Sequence, residues 1–123
     1  MRFVIIGLGG IGGVLAARLH QASHQVVGIA RGSQLSAIRE QGLRLESPAE
    51  SVTVHIGVRS HLAEVAFDQD DVVVLAVKSQ DTAATVHALA ETAPAGIPVL
   101  CAQNGVFNEP HALRYFSGST AWW

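Results

Sequence analysis

The feature that most constrains this chain is its opening, Phe3-Val4-Ile5-Ile6-Gly7-Leu8-Gly9-Gly10-Ile11-Gly12-Gly13. Phe3 to Ile6 form a short, unbroken apolar run, the pattern of a central parallel strand covered on both faces. Gly7, Gly9 and Gly12 follow at the spacing G-x-G-x-x-G. In that arrangement the first glycine permits a tight turn off the strand. The second lets a pyrophosphate approach the backbone, and the third lets a helix pack closely on the strand. The N–H groups of the helix start, with Leu8, Gly10 and Ile11 among the turn residues, would face the phosphates at the positive end of the helix dipole.

The surrounding sequence agrees with such a turn. Ile11, Val14, Leu15, Arg18 and Leu19 recur at helical spacing, which predicts a helix with that stripe inward. Gln25 to Ala30 then read as a second strand, completing a βαβ unit of about 30 residues. Further along, 34–41 read as a helix with Ser33 as N-cap and Gly42 at its end. Leu43-Arg44-Leu45 and 52–56 alternate like strands of an edge region, with Pro48 between them. Residues 60–66 suggest a short helix. Val72 to Val77 form a second buried strand behind Asp70-Asp71. Residues 80–92 form a helix capped by Ser79 or Asp81, with Ala83, Val86, Leu89 and Ala90 inward. Residues 97–101 are a further buried strand, and 106–116 a weaker last helix. Strands alternating with helices predict an α/β fold, a doubly wound, mostly parallel sheet of Rossmann type.

Composition narrows the function. The 123 residues suit one domain, here 1–116, with 117–123 as a tail that aligns with nothing. The net charge of −2 offers no basic footprint for nucleic acid, and no apolar run approaches the roughly 20 residues of a membrane span. A lone cysteine, Cys101, cannot form an internal disulfide, which points to the cytoplasm. The six histidines form no ligand set, so no metal is expected.

In a parallel sheet of this kind, ligands bind beyond the carboxyl ends of the strands. An NAD site would place an acid after the second strand, for the ribose 2′-OH. Here the sequence is Ala30-Arg31-Gly32-Ser33. A guanidinium there can bind a 2′-phosphate bidentately and stack on adenine, and the Ser33 hydroxyl can add a hydrogen bond. The expected cofactor is therefore NADP(H). Lys78, the only lysine, follows the most apolar strand, and Asn104 follows the next one. Both fall at the same edge, toward the nicotinamide.

Taken together, the glycine turn, Ala30-Arg31, Ala76-Val77-Lys78-Ser79-Gln80 and Gln103-Asn104-Gly105 resemble ketopantoate reductase (2-dehydropantoate 2-reductase) over about 1–116. The resemblance implies an oxidoreductase that reduces a 2-keto acid to a 2-hydroxy acid with NADPH, on the route to pantothenate and coenzyme A. It implies that Arg31 binds the 2′-phosphate and that Lys78 and Asn104 lie by the nicotinamide and substrate. Two departures stand out. Asp81 replaces a glutamine of many relatives, and Phe107 a glycine. The family's helical C-terminal domain, which carries the main catalytic lysine, is not found after 116. The chain alone is thus expected to bind cofactor without turnover. It is also expected to associate, as a homodimer or with a partner chain, through Leu113, Phe116, Trp122 and Trp123. The alternative is a stand-alone dinucleotide-sensing module without catalysis. An S-adenosylmethionine-dependent methyltransferase fits less well, because it wants an acid where Arg31 stands.

Overall fold

The computed structural model describes residues 1–46, 48–77, 79–102 and 120–122. Among the described residues there are eight strands: β1 (Arg2–Ile6), β2 (Gln25–Ile29), β3 (Leu43–Glu46), β4 (Ser51–Val54), β5 (Gly57–Arg59), β6 (Asp71–Leu75), β7 (Val99–Cys101) and β8 (Thr120–Trp122). The α-helices of the described residues are α1 (Gly10–Gln21), α2 (Gly32–Gln41) and α3 (Thr82–Thr92). Six strands form one sheet in the order β5-β2-β1-β6-β7-β8, and every neighbouring pair is parallel. The order runs one way from β1 through β2 to β5, and the other way from β6 through β7 to β8. The switch lies between β1 and β6.

The register makes the carboxyl edge flush. Ile6 is opposite Ile29 on one side and Leu75 on the other, and Leu75 is opposite Cys101. All these residues end their strands, so the loops that follow emerge in one row.

Alternation along the strands builds a core on each face. Val4, Ile6, Val73 and Leu75 pack with Val86 and Leu89 of α3. Ile5 and Val74 pack with Ala16 and Ala17 of α1 and Ile38 of α2. The central strands are buried on both faces, which is why they read as unbroken apolar runs.

Several sequence-based expectations shift. The buried face of α1 is Gly12, Ala16 and Ala17, not the stripe led by Ile11 and Val14; these two are 41% and 44% exposed. The periodicity is right but its phase is rotated, because small side chains let the helix lie close to the sheet. Ser33 is not the cap of α2. The helix begins at Gly32, Arg31 takes the cap position, and no side chain caps it. Residues 60–66 form only a 3₁₀ turn, Leu62–Glu64, because Glu64 folds back onto the backbone N–H groups of Ser60 and His61. Another 3₁₀ turn, Ser79–Asp81, precedes α3, which starts at Thr82 and leaves Ala83 exposed. The edge region is an antiparallel hairpin of β3 and β4, separate from the main sheet. The three-residue β5, not foreseen, pairs with β2. Within the expected tail 117–123, β8 pairs with β7. The helix expected at 106–116 lies outside the described residues.

Candidate functional site

A cleft of about 1080 Å³ opens at the flush edge, over the switch between β1 and β6. Its volume is slightly above the usual range of about 300–1,000 Å³ for small-molecule sites. Gly7 to Ile11 line it from the β1–α1 turn, Ala30 and Arg31 from the end of β2, Ala76 and Val77 from the end of β6, and Ala102 from the end of β7. Gln80, Asp81, Ala84 and Thr85 line it from the start of α3.

The glycines of the turn do different things. Gly7 has φ +96°, the left-handed region that disfavours a side chain, and a β-carbon there would meet the Ala76 carbonyl oxygen at 2.8 Å. A β-carbon on Gly12 would meet the Gly7 carbonyl oxygen at 1.8 Å and the Ala76 β-carbon at 2.9 Å. These two glycines are demanded by the packing of turn, helix and β6. Gly9 is not. A β-carbon there has no atom of the chain within 4 Å, and its φ of −81° suits any residue. The space it would take belongs to the cleft. Gly9 also caps α1 without a side-chain hydrogen bond, and the first turn carries no acid. The N–H groups of that turn lack intrahelical acceptors by helix geometry. The turn therefore fits a phosphate-bearing group: it has room, donors and a favourable dipole.

Arg31 is the only lysine or arginine among the described lining residues, and Asp81 the only acid. Their side chains approach to 3.8 Å between Nη2 and Oδ2, and are 82% and 41% exposed. Ser33 is exposed on the first turn of α2 and does not line the cleft, whereas Gln34 does. Lys78 and Asn104 lie outside the described residues, as do Leu113, Phe116 and Trp123, and β8 places only the backbone of Trp122. Sequence inspection missed His61 and Leu62, which line the cleft from the loop after β5. The faint signal was the alternation of Val52-Thr53-Val54-His55-Ile56-Gly57-Val58 running on past the hairpin. Glu64 holds that loop. The Ser60 hydroxyl donates to its carboxylate, with the N–H groups of Ser60 and His61 adding to the same oxygen. These bonds, led by the hydroxyl, keep the carboxyl below the usual glutamate range.

Among the described residues no three His, Cys, Asp or Glu are grouped to hold a metal ion, and no helix is long and apolar enough to cross a membrane.

Strand order, flush edge and glycine turn define a doubly wound α/β domain of Rossmann type. Residues 3–122 match the family described as ketopantoate reductase PanE/ApbA, and the chain belongs to that family. It is 29% identical over 118 residues to the 2-dehydropantoate 2-reductase of Aquifex aeolicus, covering 94% of this chain and 36% of the relative. A PanE/ApbA family ketopantoate reductase from Ralstonia eutropha superposes with a TM-score of 0.86 at 30% identity, over 99% of this chain and 40% of that one. D-mandelate dehydrogenase, solved with NADH and anilino(oxo)acetate, shares the fold with a TM-score of 0.84 at 23% identity, over 98% of this chain and 39% of that one. The chain spans little more than a third of the length of the curated relatives it matches.

Proposed function

We propose that this cleft binds NADP(H), and that the chain is the cofactor-binding domain of an oxidoreductase of the 2-dehydropantoate 2-reductase type. The observation that carries the proposal is the meeting of two features in one cleft. The glycine turn, open at Gly9, and the guanidinium of Arg31 lie at the ends of adjacent strands over the switch point.

The backbone from Gly7 through Leu8, Gly9, Gly10 and Ile11 to Gly12 holds the pyrophosphate by N–H donation. Arg31 takes the ribose 2′-phosphate with a charge-assisted contact, and Gln34, which lines the cleft where Ser33 does not, stands beside it. Bound NADPH supplies the hydride for reducing a 2-keto acid, with 2-dehydropantoate as the family substrate. Lys78 and Asn104 orient the nicotinamide end and the keto acid. Their chain neighbours Val77 and, two residues before Asn104, Ala102 line the cleft at the ends of β6 and β7. The open volume beside Gln80, Ala84, Thr85 and Ala88 leaves room for the rest of the cofactor.

Amide chemical-shift mapping tests this placement. Adding 2′,5′-ADP should perturb Arg31 and Gln34 but leave Lys78 and Asn104 in place. Adding NADP⁺ should perturb both ends. Equal perturbation of Lys78 and Asn104 by the two ligands would refute their assignment.

A further inference from the structure

Arg31 and Asp81 reach the cleft from opposite sides of the switch point. Arg31 follows β2, and Asp81 lies between β6 and α3, with β1 separating those strands in the sheet. Their charges nevertheless meet, at 3.8 Å. Asp81 occupies the N-cap position of α3 but makes no side-chain capping bond there. Its carboxylate is directed instead to the one cation of the described cleft lining.

We infer that Asp81 is a specificity-determining residue: by pairing with Arg31 across the cleft mouth, it narrows the preference for NADP(H) over NAD(H). The inference rests on the assignment of the 2′-phosphate to Arg31. A 2′-phosphate close to its dianionic form must draw the guanidinium from the carboxylate, and then stand near that carboxylate. The 2′-hydroxyl of NAD(H) meets neither obstacle. Between exposed groups about 4 Å apart, one unit of like charge weakens binding about fivefold. Nearly two units, partly screened by salt, give a combined effect of about tenfold.

Calorimetric titration of the chain with NADP⁺ and NAD⁺ at one ionic strength tests the inference. Wild type is compared with Asp81→Asn and Asp81→Ser, both of which remain good N-cap residues. A merely structural role for Asp81 moves both affinities together and leaves their ratio alone. The NADP⁺/NAD⁺ affinity ratio should rise about tenfold in both variants. A ratio that fails to rise at least threefold in both overturns the inference while leaving the cofactor assignment standing. A wild type that binds neither nucleotide overturns the assignment itself, and the inference with it.

Discussion

A β-carbon on Gly12 would stand 1.8 Å from the carbonyl oxygen of Gly7, inside the backbone of the turn that opens the cleft. No rotamer relieves such an overlap, so helix α1 would have to move off the sheet. Gly12→Ala should destabilise the fold by about 3 kcal/mol or more. Gly9→Ala should cost about 1 kcal/mol or less, as a weakened helix cap. Yet it should lower NADP⁺ affinity at least tenfold, because its β-carbon enters the space left for the ligand. Urea unfolding and calorimetry on the two variants separate packing from binding. Equal loss of stability in both, or undiminished binding by Gly9→Ala, would contradict this division.

At the opposite edge of the sheet, Arg2 and Asp71 pair across β1 and β6. Nε and Nη2 of Arg2 donate to the two carboxylate oxygens at 3.1 and 2.7 Å, and the Asp68 N–H donates to the carboxylate at 2.8 Å. Asp71 is 2% exposed. Truncating Arg2 leaves a buried carboxylate without its counter-charge, so Arg2→Ala should cost about 3 kcal/mol. The measurement is the urea midpoint. A loss under about 1 kcal/mol would mean that water replaces the guanidinium, as at exposed pairs. Nucleotide affinity of the folded variant should be unchanged, since the pair is remote from the cleft.

Glu64 links the cleft loop to pH. Its carboxyl is held below the ordinary range, first by the Ser60 hydroxyl and then by the Ser60 and His61 N–H groups. A depressed folded-state pKa adds stability that is complete above the unfolded value, about 4.3, and is lost as pH falls through the folded value. The His61–Leu62 loop should therefore hold at neutral pH and loosen only on acidification. The Glu64 side-chain carbon, followed by NMR, should titrate below an ordinary glutamate, and Ser60→Ala should raise its midpoint. A midpoint at or above the ordinary value would contradict the loop's bonding.

Catalysis by the chain alone should be negligible. Reduction of a keto acid requires a group that polarises or protonates the forming alkoxide. Lys78 is the only lysine in the sequence, and Asp81, the one carboxylate of the described cleft lining, is paired with Arg31. NADPH oxidation with 2-dehydropantoate should stay below about 0.01 s⁻¹, some three orders under a typical kcat of about 10 s⁻¹. Turnover near that typical value would mean that Lys78 and Asn104 suffice.

Much of the sheet was legible in the sequence because β1, β2 and β6 are buried on both faces and read as apolar runs. The glycine turn and Arg31 were legible because loops after parallel strands share one edge. What was hidden depended on tertiary packing. Helix α1 turns Ala16 and Ala17 inward because small residues allow close approach, which no hydrophobicity count of Ile11 and Val14 reveals. Three-residue β5 is too short to carry a period, so His61 and Leu62 went unseen beside the cleft. Asp81 looked like a helix cap. Only the three-dimensional arrangement brings it to Arg31.

The central claim is that Arg31 makes this a cleft for a 2′-phosphorylated dinucleotide, and one calorimetric comparison tests it most directly. Wild type should bind NADP⁺ more tightly than NAD⁺. Arg31→Ala should lose about 1.5 kcal/mol of NADP⁺ affinity, the low end for a charge-assisted contact because the side chain is exposed. Its affinity for NAD⁺ should be nearly unchanged. Equal affinity of wild type for the two nucleotides, or an Arg31→Ala variant that keeps its full NADP⁺ affinity, would contradict the account.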